Sequence, residues 1–422
     1  MKFSPLRTLR KPMRLGYIIV LALVLWASHG AAAQVSKSAT YVGSANCRSC
    51  HIEAYDGWKQ TRMARVISDP KEHPDAVLAD FSKPDPLVKF SIKDVAFVYG
   101  SRWKQRFFTK LGDDYFVQAA QWDVAKKRWL PYHVEAGTDW WVPFYGQTNE
   151  ERPTGPLCDG CHSVNYNVAT KKVTEWNVGC EKCHGPGSEH VAHPTRKNIV
   201  NPETLDAVRA NDTCIQCHSQ GQPIEGAGFN DAGGNHYDWP VGFTPGESLA
   251  KYWKLEELKI GVTNFYQYAD LTGHKNRMQG NDFIQSNMYH RGLRCFDCHE
   301  VHSNENKSNL IAVGNQVCLK CHAKSEDNLS GLHGTVAEHT HHAEGSPGSE
   351  CVACHMPKIE TTIKENFVSA HTFRFITPTL TEQNAIPNPC ISCHKEKSNA
   401  WAAKELQGWS TVSPWRMAQP LM

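Results

Sequence analysis

The chain has 422 residues, 40% hydrophobic and 21% charged, with 45 Lys+Arg against 43 Asp+Glu and a formal net charge of +2. That balance excludes a disordered chain, a polytopic membrane protein and a strongly basic nucleic-acid binder, so no nucleic-acid partner is expected. A soluble globular protein of one to three domains remains, and its 16 cysteines are the residues to follow.

Residues 1–33 read as a secretory signal. Lys2, Arg7, Arg10, Lys11 and Arg14 form a basic leader, residues 15–27 an apolar stretch, and Ala31-Ala32-Ala33 a small-residue cleavage site. The apolar stretch falls short of the roughly 20 residues that span a bilayer. Export to the periplasm or beyond is therefore expected, with no stable membrane insertion once the leader is cut. Its removal takes five basic residues and no acidic ones, which leaves the remainder slightly acidic.

Segment 34–68 carries the first C-x-x-C-H motif, Cys47/Cys50–His51. Segment 69–157 has no motif and is rich in aromatics. Its runs 88–98, 105–111, 115–122 and 128–133, the middle two joined by Gly112-Asp113-Asp114, predict a small antiparallel β insert. Trp103, Trp122, Trp129, Trp140 and Trp141 there suit either a cofactor face or ordinary core packing. Segment 158–219 carries Cys158/Cys161–His162, Cys180/Cys183–His184 and Cys214/Cys217–His218. Segment 220–287, rich in glycine and aromatics, predicts mostly loop. Segment 288–422 holds Cys295/Cys298–His299, Cys318/Cys321–His322, Cys351/Cys354–His355 and Cys390/Cys393–His394, and closes on a helix over 398–408.

All 16 cysteines thus fall into eight motifs, each followed at once by histidine. Two thiols at this spacing reach the two vinyl groups on one edge of a porphyrin, and the adjacent histidine ligates the iron. Zinc sites and structural disulfides also use paired cysteines, but neither calls for a histidine after every pair. The motifs predict eight covalently attached haem c groups. Gaps of 22 and 34 residues between first cysteines recur as 23 and 33, suggesting that motifs two to four and five to seven repeat a three-haem unit. At about 49 residues per haem after the leader is cut, the porphyrins must supply much of the core. The expected fold is mainly α with extensive loops, a multihaem cytochrome c fold of short helices around closely packed haems, with the β insert added.

What fills each iron's second face separates electron transfer from catalysis. Beyond the motifs, 13 histidines follow the leader. Candidate sixth ligands are His190, His274, His302, His333, His339, His342 and His371, and Met63, since His/Met ligation raises the potential. His302 lies three residues after His299 and is placed to serve a neighbouring haem rather than its own, and His190 follows the third motif in the same way. Of the H-T-H-H run at 339–342, one or two can be ligands.

Several stretches carry a resemblance: Y-V-G-S-A-N-C-R-S-C-H with W-K-Q-T-R-M-A, V-G-C-E-K-C-H-G-P-G-S-E-H-V, N-R-M-Q-G-N-D-F-I-Q-S-N-M-Y, and C-V-A-C-H-M-P-K with A-H-T-F-R-F-I-T-P and P-N-P-C-I-S-C-H-K. Over most of residues 41–408 the chain resembles bacterial multihaem cytochromes of the cytochrome c-554, ammonia-forming nitrite reductase and hydroxylamine oxidoreductase superfamily. The resemblance implies mostly bis-histidine haems and supports His190, His302, His333, the 339–342 cluster and His371 as distal ligands. Relatives often have His-His where this chain has Arg62-Met63. The nitrite reductases have a C-x-x-C-K haem, which is absent here. Electron transfer between a redox protein donor and acceptor is the first expectation, in a monomer, homo-oligomer or filament. An oxidoreductase acting on a small nitrogen or sulfur compound at one open haem, with the first haem leading, is the alternative.

Overall fold

The computed structural model describes residues 38–132, 150–224, 230–323, 332, 334–360 and 367–409. The leader 1–33, His133, Trp140, Trp141 and His333 lie outside the described residues.

Six antiparallel strands form the largest sheet: β1 (Ile67–Ser68), β2 (Phe97–Tyr99), β3 (Lys104–Leu111), β4 (Asp114–Val117), β5 (Ala120–Asp123) and β6 (Arg128–Pro131), in the order β1-β2-β3-β5-β6 with β4 also on β3. Two sequence expectations need correction here. Run 88–98 becomes a strand only at its end, because Ser91 and Asp94 close a reciprocal capping box on a 3-10 turn, Ile92–Asp94. Run 115–122 is two strands rather than one. Its register against β3 shifts across Gln118 and Ala119, which makes a bulge and re-aims the chain.

Because strand side chains alternate, Phe107 and Phe108 face opposite ways. Phe107 is fully buried in a cluster with Val95, Val98, Trp122 and Trp129, and Phe81 meets Phe107 and Trp129 edge-on at 5.4 and 5.1 Å. Trp122 and Trp129 are therefore core residues of this unit. On the other face Phe108 packs on Tyr99 at 5.2 Å, and Tyr99 in turn meets His162 of the second motif at 4.8 Å.

Every described helix is short. They are α1 (Ile52–Trp58), α2 (Glu181–His184), α3 (Ser188–Ala192), α4 (Ala207–Ile215), α5 (Gln279–Phe283), α6 (Asn287–His290), α7 (Gln316–His322), α8 (Val336–Thr340), α9 (Cys351–His355), α10 (Pro378–Asn384), α11 (Pro389–Cys393) and α12 (Asn399–Gln407). Ser398 caps α12 through the Trp401 N–H, and Ala402 and Leu406 are buried. A second apolar cluster joins Tyr268, Ile359, Ala370, Ile376, Leu380 and Ile386. Segment 220–287 is mostly loop, holding β9 (Gly221–Pro223) and β10 (Trp253–Leu255) as a ladder, and α5. Among the described residues no helix is long and apolar enough to cross a membrane.

Inside the sheet Lys104 and Asp123 face each other across β3 and β5, with Nζ 2.6 Å from the carboxylate and both side chains buried. Burial pushes the Asp123 carboxyl up, but hydrogen bonds from Lys104 and the Lys126 backbone hold it below the usual range. Breaking a buried pair leaves an uncompensated charge and costs about 3–5 kcal/mol. Asp123→Ala is therefore expected to lower the unfolding free energy by that amount. Because the folded carboxyl is depressed, its stabilising contribution is present at neutral pH and is lost as pH falls through the folded value. The difference between wild type and Asp123→Ala in denaturant titrations should shrink at acid pH.

Candidate haem centres

Each C-x-x-C-H motif closes one helical turn. The histidine N–H donates to the first cysteine carbonyl at 3.0 Å for His51, 3.1 Å for His162, 3.0 Å for His184, 3.1 Å for His218, 3.0 Å for His299 and 2.8 Å for His394. Positions i, i+3 and i+4 share one face of such a turn, so both sulfurs and the imidazole point the same way. None of the sixteen cysteines forms a disulfide.

Five motif histidines stand opposite a second, nearly parallel imidazole. His51 faces His190, with ring centres 6.3 Å apart and planes at 22°. His184 faces His302 (6.2 Å, 21°), His299 faces His371 (6.5 Å, 23°), and His355 faces His339 (6.3 Å, 19°). His394 faces His342 at 6.2 Å and 37°. Direct ring stacking in the same molecule is much closer, 4.2 Å for His341 on Trp409. Two metal–nitrogen bonds of roughly 2 Å plus the ring radii reproduce the wider spacing. Five separate loops and helices have converged on it.

Hydrogen bonds orient these rings. The Nδ1 atom lies 2.7 Å from the Val200 carbonyl in His184, 3.0 Å from Thr195 in His190 and 3.1 Å from Ser308 in His299. It lies 2.6 Å from the Thr340 carbonyl in His342 and 2.9 Å from Ser369 in His371. An Nδ1–H held by a carbonyl leaves Nε2 as the metal-facing atom. Asp282 secures one of them further, accepting the His371 backbone N–H at 2.9 Å and the Gly273 N–H at 2.8 Å.

The remaining candidates sit differently. Opposite His51 the structure places His190 rather than Met63, which begins a 3-10 turn and accepts the Val178 N–H with its carbonyl. His274 packs on Tyr268 at 4.2 Å, and burial pushes it down to about 4. His341 of the H-T-H-H run packs on Trp409. Among the described residues no second imidazole stands opposite His162 or His218. Burial, then Arg277, pushes His162 down to about 3, and its Nδ1 has no hydrogen-bond partner. Arg277, on left-handed backbone with φ 60°, shares the surroundings of Cys158, Cys161, Tyr99 and His218. Neither Tyr99 nor Arg277 has a spacing signal that singles it out, since only folding brings them to the second motif.

Comparison with known proteins now adds to this geometry. The doubled CXXCH motif family matches residues 289–327, which span the fifth and sixth motifs. The chain is 21% identical over 365 residues to the dissimilatory sulfite reductase MccA of Wolinella succinogenes, over 75% of this chain and 50% of that protein. It is 24% identical over 243 residues to the multiheme cytochrome MtrA of Shewanella baltica, over 52% of this chain and 66% of that protein. The chain is a multihaem c-type cytochrome related to the superfamily it resembles. The cytochrome spans half to just under two thirds of the length of these two relatives. Its fold matches the crystal structure of the outer cell wall cytochrome OcwA with TM-score 0.69 and 22% identity, over 87% of this chain and 86% of that one. An undecaheme cytochrome from the S-layer of Carboxydothermus ferrireducens matches with TM-score 0.50 and 18% identity, over 93% of this chain and 64% of that one. The residues present fit haem c: one-turn motifs, paired imidazoles and unbridged cysteines.

Gly57 of α1 lies directly under the backbone of His302, where a Cβ would run into the carbonyl oxygen. Gly57→Ala is expected to push His302 away from His184. The purified cytochrome should keep its haem content and gain a high-spin signal from one iron in its EPR spectrum.

Proposed function

We propose that the chain is an exported octahaem c-type cytochrome. It would transfer electrons along mostly bis-histidine centres between a membrane or periplasmic donor and a reductase or extracellular acceptor. The observation that carries this reading is the set of five imidazole pairs, each taking its second ring from outside its own motif. When bound, haem c supplies at each motif an iron that cycles between two oxidation states. The chain's part is to hold those centres close and to close both axial faces. His190, in place of a methionine, favours a lower potential at the first motif. Cys50, Cys321 and Cys393 are exposed whereas Cys161 is buried, so donor and acceptor would dock at the first, sixth and eighth motifs. For His322, His333 remains the proposed partner on the resemblance.

A second reading is favoured by the surroundings of His162. There a small anion would meet Arg277 and Tyr99 where other motifs present an imidazole, so an oxidoreductase acting on a nitrogen or sulfur compound is the alternative. In this reading the open face belongs to the second motif rather than the first, where His190 stands opposite His51.

EPR of the oxidised holoprotein, with and without nitrite or sulfite, separates the two. Low-spin iron throughout and no response to either anion support a carrier. A substoichiometric high-spin signal that shifts on adding anion supports the oxidoreductase. In that case Arg277→Gln removes charged hydrogen bonds of about 1.5–3 kcal/mol and should weaken anion binding roughly tenfold to hundredfold. His190→Ala is expected to turn one iron high-spin under either reading.

A further inference from the structure

The first cysteine of a one-turn motif has a backbone N–H that its own turn leaves without an acceptor. In three motifs that N–H is taken by a side chain from a different motif, always the residue three positions before that motif's own first cysteine. Ser44, three before Cys47, accepts the Cys180 N–H through its hydroxyl at 2.8 Å. Asn211, three before Cys214, accepts the Cys295 N–H at 2.9 Å and donates to the Leu293 carbonyl at 3.0 Å. Asn315, three before Cys318, accepts the Cys351 N–H at 2.8 Å and donates to the Ser349 carbonyl at 2.8 Å.

The two asparagines therefore grip the partner segment identically, by the N–H of the first cysteine and the carbonyl two residues before it. Serine has no amide to donate. In the first case the equivalent carbonyl, Val178, accepts instead from the Trp58 indole at 2.9 Å. Each grip brings two first cysteines together: Cys47 against Cys180, Cys214 against Cys295, and Cys318 against Cys351, with sulfurs within hydrogen-bonding reach. Around the first grip, Glu175 also receives the Ser44 N–H at 2.6 Å, and Glu181 takes the Val42 and Gly43 N–H groups, so the arrangement is tied down from both sides.

We propose that Ser44, Asn211 and Asn315 are positioning residues that lock the haem attachment points into three contacting pairs: first with third, fourth with fifth, and sixth with seventh. A side-chain amide or hydroxyl that bridges two motifs sets the separation of two redox centres without touching either iron. The second and eighth motifs lie outside these pairs. The inference rests on the reading that every motif carries haem.

The test uses full-length holoprotein with Asn315→Leu, which removes both hydrogen bonds at a half-buried site, and Asn315→Asp, which keeps the acceptor for the Cys351 N–H. Haem content is read by mass spectrometry, and iron–iron spin coupling by EPR of the oxidised protein. The expected result for Asn315→Leu is eight haems, loss of the coupled signal of one pair and gain of two uncoupled low-spin irons. Asn315→Asp should retain the coupling. Eight haems with unchanged coupling in Asn315→Leu would overturn the proposal. Fewer than eight haems in the wild type would overturn the haem reading instead. Should Asn315→Leu fail to take up haem, Ser44→Ala, which leaves the Trp58 bond in place, reads the same coupling in the first pair, and unchanged coupling there counts equally against the proposal.

Discussion

An imidazole presented by one turn of helix has one coordinating nitrogen, and the second ring must come from another part of the chain. That requirement organises the rest of the molecule. His51 meets a histidine that follows the third motif, His184 meets one that follows the fifth, and His299 meets one between the seventh and eighth. His355 and His394 draw both of theirs from α8 and the turn after it. The short helices and long loops follow from this: a chain that must return repeatedly to earlier motifs has little use for long regular elements.

Hydrophobic packing accordingly sits at the margins. The Phe107 cluster belongs to the β unit, and the Ile359–Ile376–Ile386 cluster packs under the last helices. Between them the motif region is held by polar groups with several bonds each. The Glu181 carboxylate accepts three backbone N–H groups, from Val42, Gly43 and Gly187. Gln267 and Asp282 tie loops in the same manner. Buried polar groups that are fully satisfied specify one arrangement more sharply than apolar contact does.

The motifs were wholly legible in the sequence because their chemistry is local: two thiols and a ring on one turn. The closing helix was legible too, since its Ser398 cap and apolar spacing are local signals. His302 and His190 were readable as ligands for neighbours because their closeness to their own motifs argued against self-service. Met63 and His190 were a different matter, since which of two distant residues faces His51 is decided by chain path. The bulge at Gln118 and Ala119 gave no warning, because its pattern of side chains continues the strand on either side. The spacing repeat was also incomplete guidance, for the grip of Asn211 on Cys295 crosses the boundary between the two supposed units.

The exchange of rings between distant motifs also has a temporal side. A chain emerging from export presents Cys47, Cys50 and His51 long before His190, and Cys180, Cys183 and His184 long before His302. Attachment chemistry at the early motifs therefore meets a chain that cannot yet close their second faces. The native arrangement has high contact order built in, which slows its assembly. Completion is deferred until residues near the C-terminal end of the described chain have arrived. Maturation of this protein is then a matter of order as much as of affinity, with the last histidines acting as the signal that the whole thread has been delivered.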